Sequence, residues 1–178
     1  MSYLKFDRRL MANLDESTQR EYIRTNRKGA YCCSSIVGCN TRKYHGVLVI
    51  PVPELSENNH VLLSSLDLTI VQHGVPFNVG IHEYEGDIFS PKGHKYIREY
   101  NVDIASSTTY RVGGVVLQKE FLFCHYTNRM LQRYTLLEAH SRTTLRLSPF
   151  LAFRDVKMLT HRNDQYHGDY GQAKSGSP

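Results

Sequence analysis

The chain predicts an antiparallel all-β fold, a sandwich or a barrel, and three observations carry that prediction. Short runs rich in Val, Ile, Leu, Tyr, Phe and Thr recur from residue 21 onward. Turn-forming residues separate them at intervals suited to strands. Helical periodicity is almost absent, and many strands with little helix mean two packed antiparallel sheets or one closed sheet.

Taken in order, residues 14–20 are polar, with Asp15 and Ser17 near the start. Both cap helix N-termini by accepting from free backbone N–H groups, so a short helix is expected there. Residues 47–52 are apolar and mostly β-branched, and Pro51 and Pro53 end that strand. Residues 61–72 form a long strand, broken by a His73-Gly74 turn, with a partner at 75–81. Residues 96–104 alternate through Tyr96, Arg98, Tyr100 and Val102. Residues 108–112 and 115–125 flank Gly113-Gly114 and make the clearest hairpin, since two glycines supply the positive φ of a primed turn. In its second strand Leu117, Lys119, Phe121 and Phe123 share one face, and Val116, Gln118, Glu120 and Leu122 share the other. Turns at 125–128 and 140–141 lead into strands at 129–139 and 142–153. A β-sandwich domain is therefore expected over residues 1–160. Residues 161–178 are polar and glycine-bearing, without apolar period, and read as a tail or a truncated continuation.

The chain has 178 residues, enough for one domain with a real core. Its 40% apolar and 22% charged content is that of a soluble globular protein. The net charge of +5 is dispersed in pairs such as Arg8-Arg9 and Arg42-Lys43. Nucleic-acid binding calls for a clustered stripe or a recognised motif, and neither occurs. No run reaches the length of a membrane helix, and the N-terminus lacks the apolar stretch of a signal peptide. No nucleic-acid or membrane partner is expected, and a cytoplasmic location is. Cys32, Cys33, Cys39 and Cys124 contain no Cys-x-x-Cys pair. Adjacent Cys32 and Cys33 point to opposite faces of a strand and do not share a metal. A zinc site through Cys39 and His45 is weighed and set aside, so neither metal nor cofactor is expected.

One stretch exceeds what a sandwich needs. Between Gly38 and Gly46 the chain packs Asn40, Thr41, Arg42, Lys43, Tyr44 and His45, then enters a strand. Two glycines bounding a polar hexad suggest a shaped surface. An ordinary turn, with its Asn and Thr satisfying local backbone groups, is the plainer reading. The block Glu21, Tyr22, Ile23, Thr25, Asn26, Gly29, Tyr31, then Gly38, Asn40, Thr41, Arg42, Tyr44, His45, Gly46 and Leu48 resembles the N-terminal domain of bacterial and archaeal-type glycogen debranching enzymes, the amylo-alpha-1,6-glucosidase family. Leu62-Leu63-Ser64-Ser65-Leu66-Asp67 and Pro149-Phe150-Leu151-Ala152-Phe153-Arg154-Asp155 are similar to two later segments of that family. The chain departs from the pattern at Arg27, Ala30 and Lys157, where Gly, Gly and His are usual.

The resemblance implies a galactose-mutarotase-like supersandwich, incomplete at its C-terminal end. It implies an accessory module beside an absent helical catalytic domain of the same parent chain, which hydrolyses α-1,6 branch linkages of limit dextrin. The implied partners are that domain and an α-glucan. Residues at the substrate rim or domain boundary would be Asn26, Asn40, Thr41, Arg42, Tyr44, His45, Arg154 and Asp155. Catalytic residues are expected elsewhere. Glycoside hydrolysis needs two carboxyl groups, and the best local pair, Glu83 and Glu85, reads as a solvated strand face. Two alternatives stand beside this reading: a stand-alone carbohydrate-binding sandwich, and a mutarotase-like epimerase using a His and a carboxylate.

Overall fold

A computed structural model describes residues 3–159. The tail reading at 161–178 lies outside the described residues. The antiparallel all-β expectation holds, and the two sheets stay open rather than closing into a barrel.

The first sheet orders β1 (Leu4–Asp7), β9 (Ile97–Val102), β10 (Ser106–Val112), β11 (Val115–Phe123) and β12 (Met130–Glu138) side by side. The second orders β13 (Thr143–Asp155), β5 (Asn59–Gln72), β4 (Gly46–Pro51), β3 (Tyr31–Ser35) and β2 (Glu21–Thr25), with β6 (Val75–Asn78) also paired to β5. A separate hairpin joins β7 (His82–Tyr84) and β8 (Ile88–Ser90), which carries Glu83 and its neighbour Glu85 in solvent. Every strand pairing among the described residues is antiparallel, between hairpin neighbours such as β2–β3 and between distant strands such as β5–β13 alike.

The β10–β11 hairpin closes as its glycines dictate. Val112 pairs with Val115, and Gly113 and Gly114 sit at φ 54° and 80°. Two consecutive positive φ values make the primed turn whose twist matches the strands. Alternation along β11 then buries Leu117, Phe121 and Phe123 and leaves Leu122 exposed. Met11, Ile70, Ile97, Tyr110 and Leu117 form the main core between the sheets, and Ala30, Cys32, Phe121 and Phe123 form a second cluster. Each such large apolar side chain contributes about 1.5–3 kcal/mol by leaving water.

The helix expectation needs correction. α1 (Arg8–Ala12) and α2 (Leu14–Ser17) replace the single helix expected over 14–20. Asp7 caps α1 by accepting from Leu10 N, a cap that lies outside the stretch singled out in the sequence. Asn13 is extended (φ −88°, ψ 101°) and splits the two. Thr18 turns its hydroxyl back onto the Leu14 carbonyl at 2.6 Å, and the chain leaves for β2. Only Met11 and Ser17 are buried, so too little apolar surface exists to stabilise a longer helix against the sheet. Strand ends otherwise shift by a few residues, the largest change being the 75–81 strand, which stops at Asn78.

Candidate functional site

The loop between β3 and β4 is tied down from every side. At its entry Ser35 Oγ accepts from Cys39 N at 3.0 Å and donates to Cys39 O at 2.8 Å. Gly38 takes φ 82° there, a conformation that side chains with a Cβ rarely adopt. Asn40 donates through Nδ2 to Ser64 O at 2.8 Å and accepts from Ser34 Oγ at 2.8 Å, linking the loop to β5 and β3. At its exit an added Cβ on Gly46 would lie 2.9 Å from methyl carbons of both Val49 and Val61, so the strand must start with glycine.

Within the loop His45 is fully buried. Its Nδ1 accepts from Thr41 N at 3.1 Å. A neutral imidazole that accepts at Nδ1 carries its proton on Nε2. That Nε2 faces Glu21 Oε1 at 3.4 Å, too poorly placed for a good hydrogen bond. Glu21, from β2, also accepts from Arg42 Nε and lies 3.5 Å from the Tyr44 hydroxyl. Tyr44 stands edge-on to the His45 ring at 5.2 Å and keeps 39% of its surface exposed. Burial pushes the Glu21 carboxyl up, but the Arg42 hydrogen bond and the nearby His45 and Arg42 charges outweigh it and hold it below its ordinary value. Burial drives the His45 imidazole down, with Arg42 adding to the effect and Glu21 opposing it.

The far side is held from β13. Its register slips between Leu151 and Arg154, and Phe153 sits at φ 48°. Such a bulge re-aims the next side chain. Arg154 accordingly donates to the Lys43 carbonyl in the loop and to Met158 O at 2.8 Å. Tyr31 adds a hydrogen bond to Tyr44 O at 3.1 Å.

Of the residues named from sequence, Asn40, Thr41, Arg42, Tyr44, His45 and Arg154 therefore come together. Asn26 and Asp155 do not join them. Asn26 Oδ1 accepts from Lys28 N and Ala30 N, and its Nδ2 reaches Thr127 O and Asn128 Oδ1, so it welds two turns together. This network also accommodates the sequence departures: Gly29 alone takes the positive φ, Ala30 is fully buried, and Arg27 lies over the Tyr126 ring. Asp155 accepts from Asn58 Nδ2, Ser56 Oγ and Lys157 N, closing the 56–59 segment onto the end of β13.

Two members of the site were missing from the sequence list. Glu21 opens the quoted motif, yet an acidic residue at the mouth of an edge strand reads as solvated. Cys33 is buried beside it, and burial together with the Glu21 charge raises its thiol to about 11. Cys33, not Cys39, is the cysteine that approaches His45: ligand atoms of Glu21, Cys33 and His45 lie within 4.8 Å of one another. This trio does not suit a metal. The Thr41 N–H occupies the lone pair of Nδ1, which leaves the proton on Nε2, and Arg42 already neutralises Glu21. The same protonation pattern leaves His45 without a free lone pair to act as a general base.

The structure defines an open, two-sheet antiparallel β-domain with one latched polar loop. The family described as "Glycogen debranching enzyme N terminal" matches residues 20–177, and the chain belongs to that family. No curated protein and no solved structure matches it. Among the described residues no helix is long and apolar enough to cross a membrane.

Proposed function

We propose that this chain is the N-terminal accessory sandwich of a glycogen debranching enzyme. It packs on a helical catalytic domain that hydrolyses α-1,6 branch linkages of limit dextrin, in a cytoplasmic parent enzyme. The observation that carries this reading is β13. Residues 146–151 are exposed without interruption, and on them only the Phe150 ring has an aromatic neighbour, the His82 ring at 5.2 Å. They include Leu147, Phe150 and Leu151, 47%, 47% and 55% exposed, with Phe153 following at 57%. A sandwich strand normally buries one face, and a run of half-exposed apolar side chains along this strand points to a missing packing partner. The patch is rich in Leu and Phe; the exposed tyrosines lie elsewhere.

On this reading the 40–45 loop forms part of the glycan-facing rim. The Tyr44 ring supplies a stacking face, and the exposed Arg42 guanidinium keeps donors beyond the one that Glu21 holds. Catalytic carboxylates belong to the partner domain.

Hydrogen exchange over residues 146–151 tests the proposal, measured in this 178-residue chain and in the whole polypeptide its gene encodes. Protection gained in the longer polypeptide is the expected result. Equal exchange in both, or a gene that encodes no helical domain, would overturn it. Limit dextrin added to the longer polypeptide should shift the Tyr44 and His45 resonances.

A further inference from the structure

One buried donor in the latch is left without an acceptor. His45 Nε2 is shut off from solvent and makes no good hydrogen bond, although Glu21 Oε1 lies 3.4 Å away. The Thr41 N–H occupies Nδ1, so the ring cannot turn over to place its proton elsewhere without stranding Thr41. Buried donors in folded proteins nearly always find a partner, because leaving one unpaired is costly.

Arg42 is what holds the acceptor back. Its Nε donates to that same oxygen, Oε1, while the other carboxylate oxygen faces the Tyr44 hydroxyl at 3.5 Å. The two donors differ in what they need. The Arg42 side chain is 54% exposed, so water takes over any N–H that Glu21 gives up. His45 is fully buried, and water does not reach its Nε2. Cys33 is the other group beside this point, and its thiol, raised to about 11, stays protonated and accepts only weakly.

We infer that Arg42 and His45 compete for Glu21 Oε1, so that a ligand drawing the Arg42 guanidinium outward hands this oxygen to His45. The loop then has two arrangements, with Glu21 held by Arg42 at the surface or by the buried imidazole. Only hydrogen bonds are exchanged, and no proton is transferred. An approach of about 0.3–0.5 Å brings the 3.4 Å separation into the ordinary N–H···O range. The inference rests on the rim reading above and names how a surface contact reaches the inside of the loop. A glycan hydroxyl accepts from Arg42, Glu21 moves inward, and the imidazole that carries the Thr41 N–H is held at both nitrogens.

NMR of the His45 ring N–H in this 178-residue chain tests the exchange, at a pH where the imidazole is neutral. Arg42→Met keeps the side-chain stem and removes every donor. The Nε2–H resonance should then move downfield, and its exchange with solvent should slow by about tenfold, the scale of one hydrogen bond gained. Adding Glu21→Ala to Arg42→Met should abolish both changes, which separates a new acceptor from a general change in the loop. An Nε2–H that is unchanged, or that exchanges faster, in the Arg42→Met protein would overturn the inference, since Arg42 would then be holding Glu21 in place. Limit dextrin added to the whole polypeptide that the gene encodes should move the same resonance downfield. A dextrin shift at Tyr44 that leaves the His45 Nε2–H in place would overturn the inference and keep the rim reading. The expected Arg42→Met result with no dextrin shift anywhere in residues 40–45 would support the competition and count against the rim reading alone.

Discussion

The latched loop and the β13 edge are opposites. In the loop, most polar side chains find a partner even where they reach the surface: His45 is fully buried, Asn40 bridges two strands, and Glu21 gathers the exposed Arg42 and Tyr44 beside His45. Along β13, Leu147, Phe150 and Leu151 stay about half exposed, with the His82 ring beside Phe150. Arg154 sits where the two regions meet, on the bulge that ends the bare stretch, with its guanidinium on the loop. The difference teaches which region is complete. Buried polar groups are tolerable chiefly when satisfied, and apart from His45 Nε2 the loop's buried groups find their partners within this domain. Apolar groups left in water gain nothing here, so β13 owes its sequence to something that covers it.

Substitutions sharpen the contrast. The largest effect is expected at His45→Ala, which empties a buried site and strands the Thr41 N–H. It should cost about 2–4 kcal/mol in chemical denaturation, and a loss below about 0.5 kcal/mol would show that the loop is not self-supporting. Gly46→Ala comes next. Its Cβ collides with two valine methyls, and overpacking of this kind costs about 1–3 kcal/mol.

Glu21→Gln should cost less, about 1 kcal/mol or under, because the carboxylate is partly exposed and screened. Its clearer signature is in pH. Both latch groups titrate below their ordinary values of 4.5 for Glu21 and 6.5 for His45. A depressed folded pKa means that the unfolded chain binds protons first. Stability is then fully present above the ordinary value and is lost as pH falls through the folded one. The His45 contribution should begin to fall below pH 6.5 and the Glu21 contribution below 4.5. A plot of stability against pH should be flatter in the Glu21→Gln protein over the lower of these windows. An identical slope would remove Glu21 from the latch.

The smallest effect is expected on β13. Leu147→Ser with Phe150→Ser should change stability by no more than about 0.5 kcal/mol each, as exposed positions do. The pair should lower self-association and binding of a hydrophobic dye. A large destabilisation would mean that these side chains are packed and that the edge is already covered.

Much of this was legible in advance. Alternation in β11 named its buried face, and Gly113-Gly114 named the turn, because both follow from local backbone geometry. Six of the eight site residues named from the motif converge. Asn26 and Asp155 separate from them because a motif records identity along the chain, whereas each of these side chains is used up by its own turn. Glu21 was hidden for the converse reason: alternation assigns it to an exposed face, and only pairing with β3 brings it beneath the loop.

Sequence alone determined the all-β class, the strand order along the chain, the hairpin glycines and the polar hexad as the feature to watch. All of these depend on interactions within a few residues. Tertiary structure alone decided that Cys33 rather than Cys39 lies beside His45, that the Thr41 N–H settles where the imidazole proton resides, and that one Glu21 oxygen faces both Arg42 and His45. These depend on distances between strands far apart in the chain. Such distances are set by how two twisted sheets pack, and no local propensity encodes them.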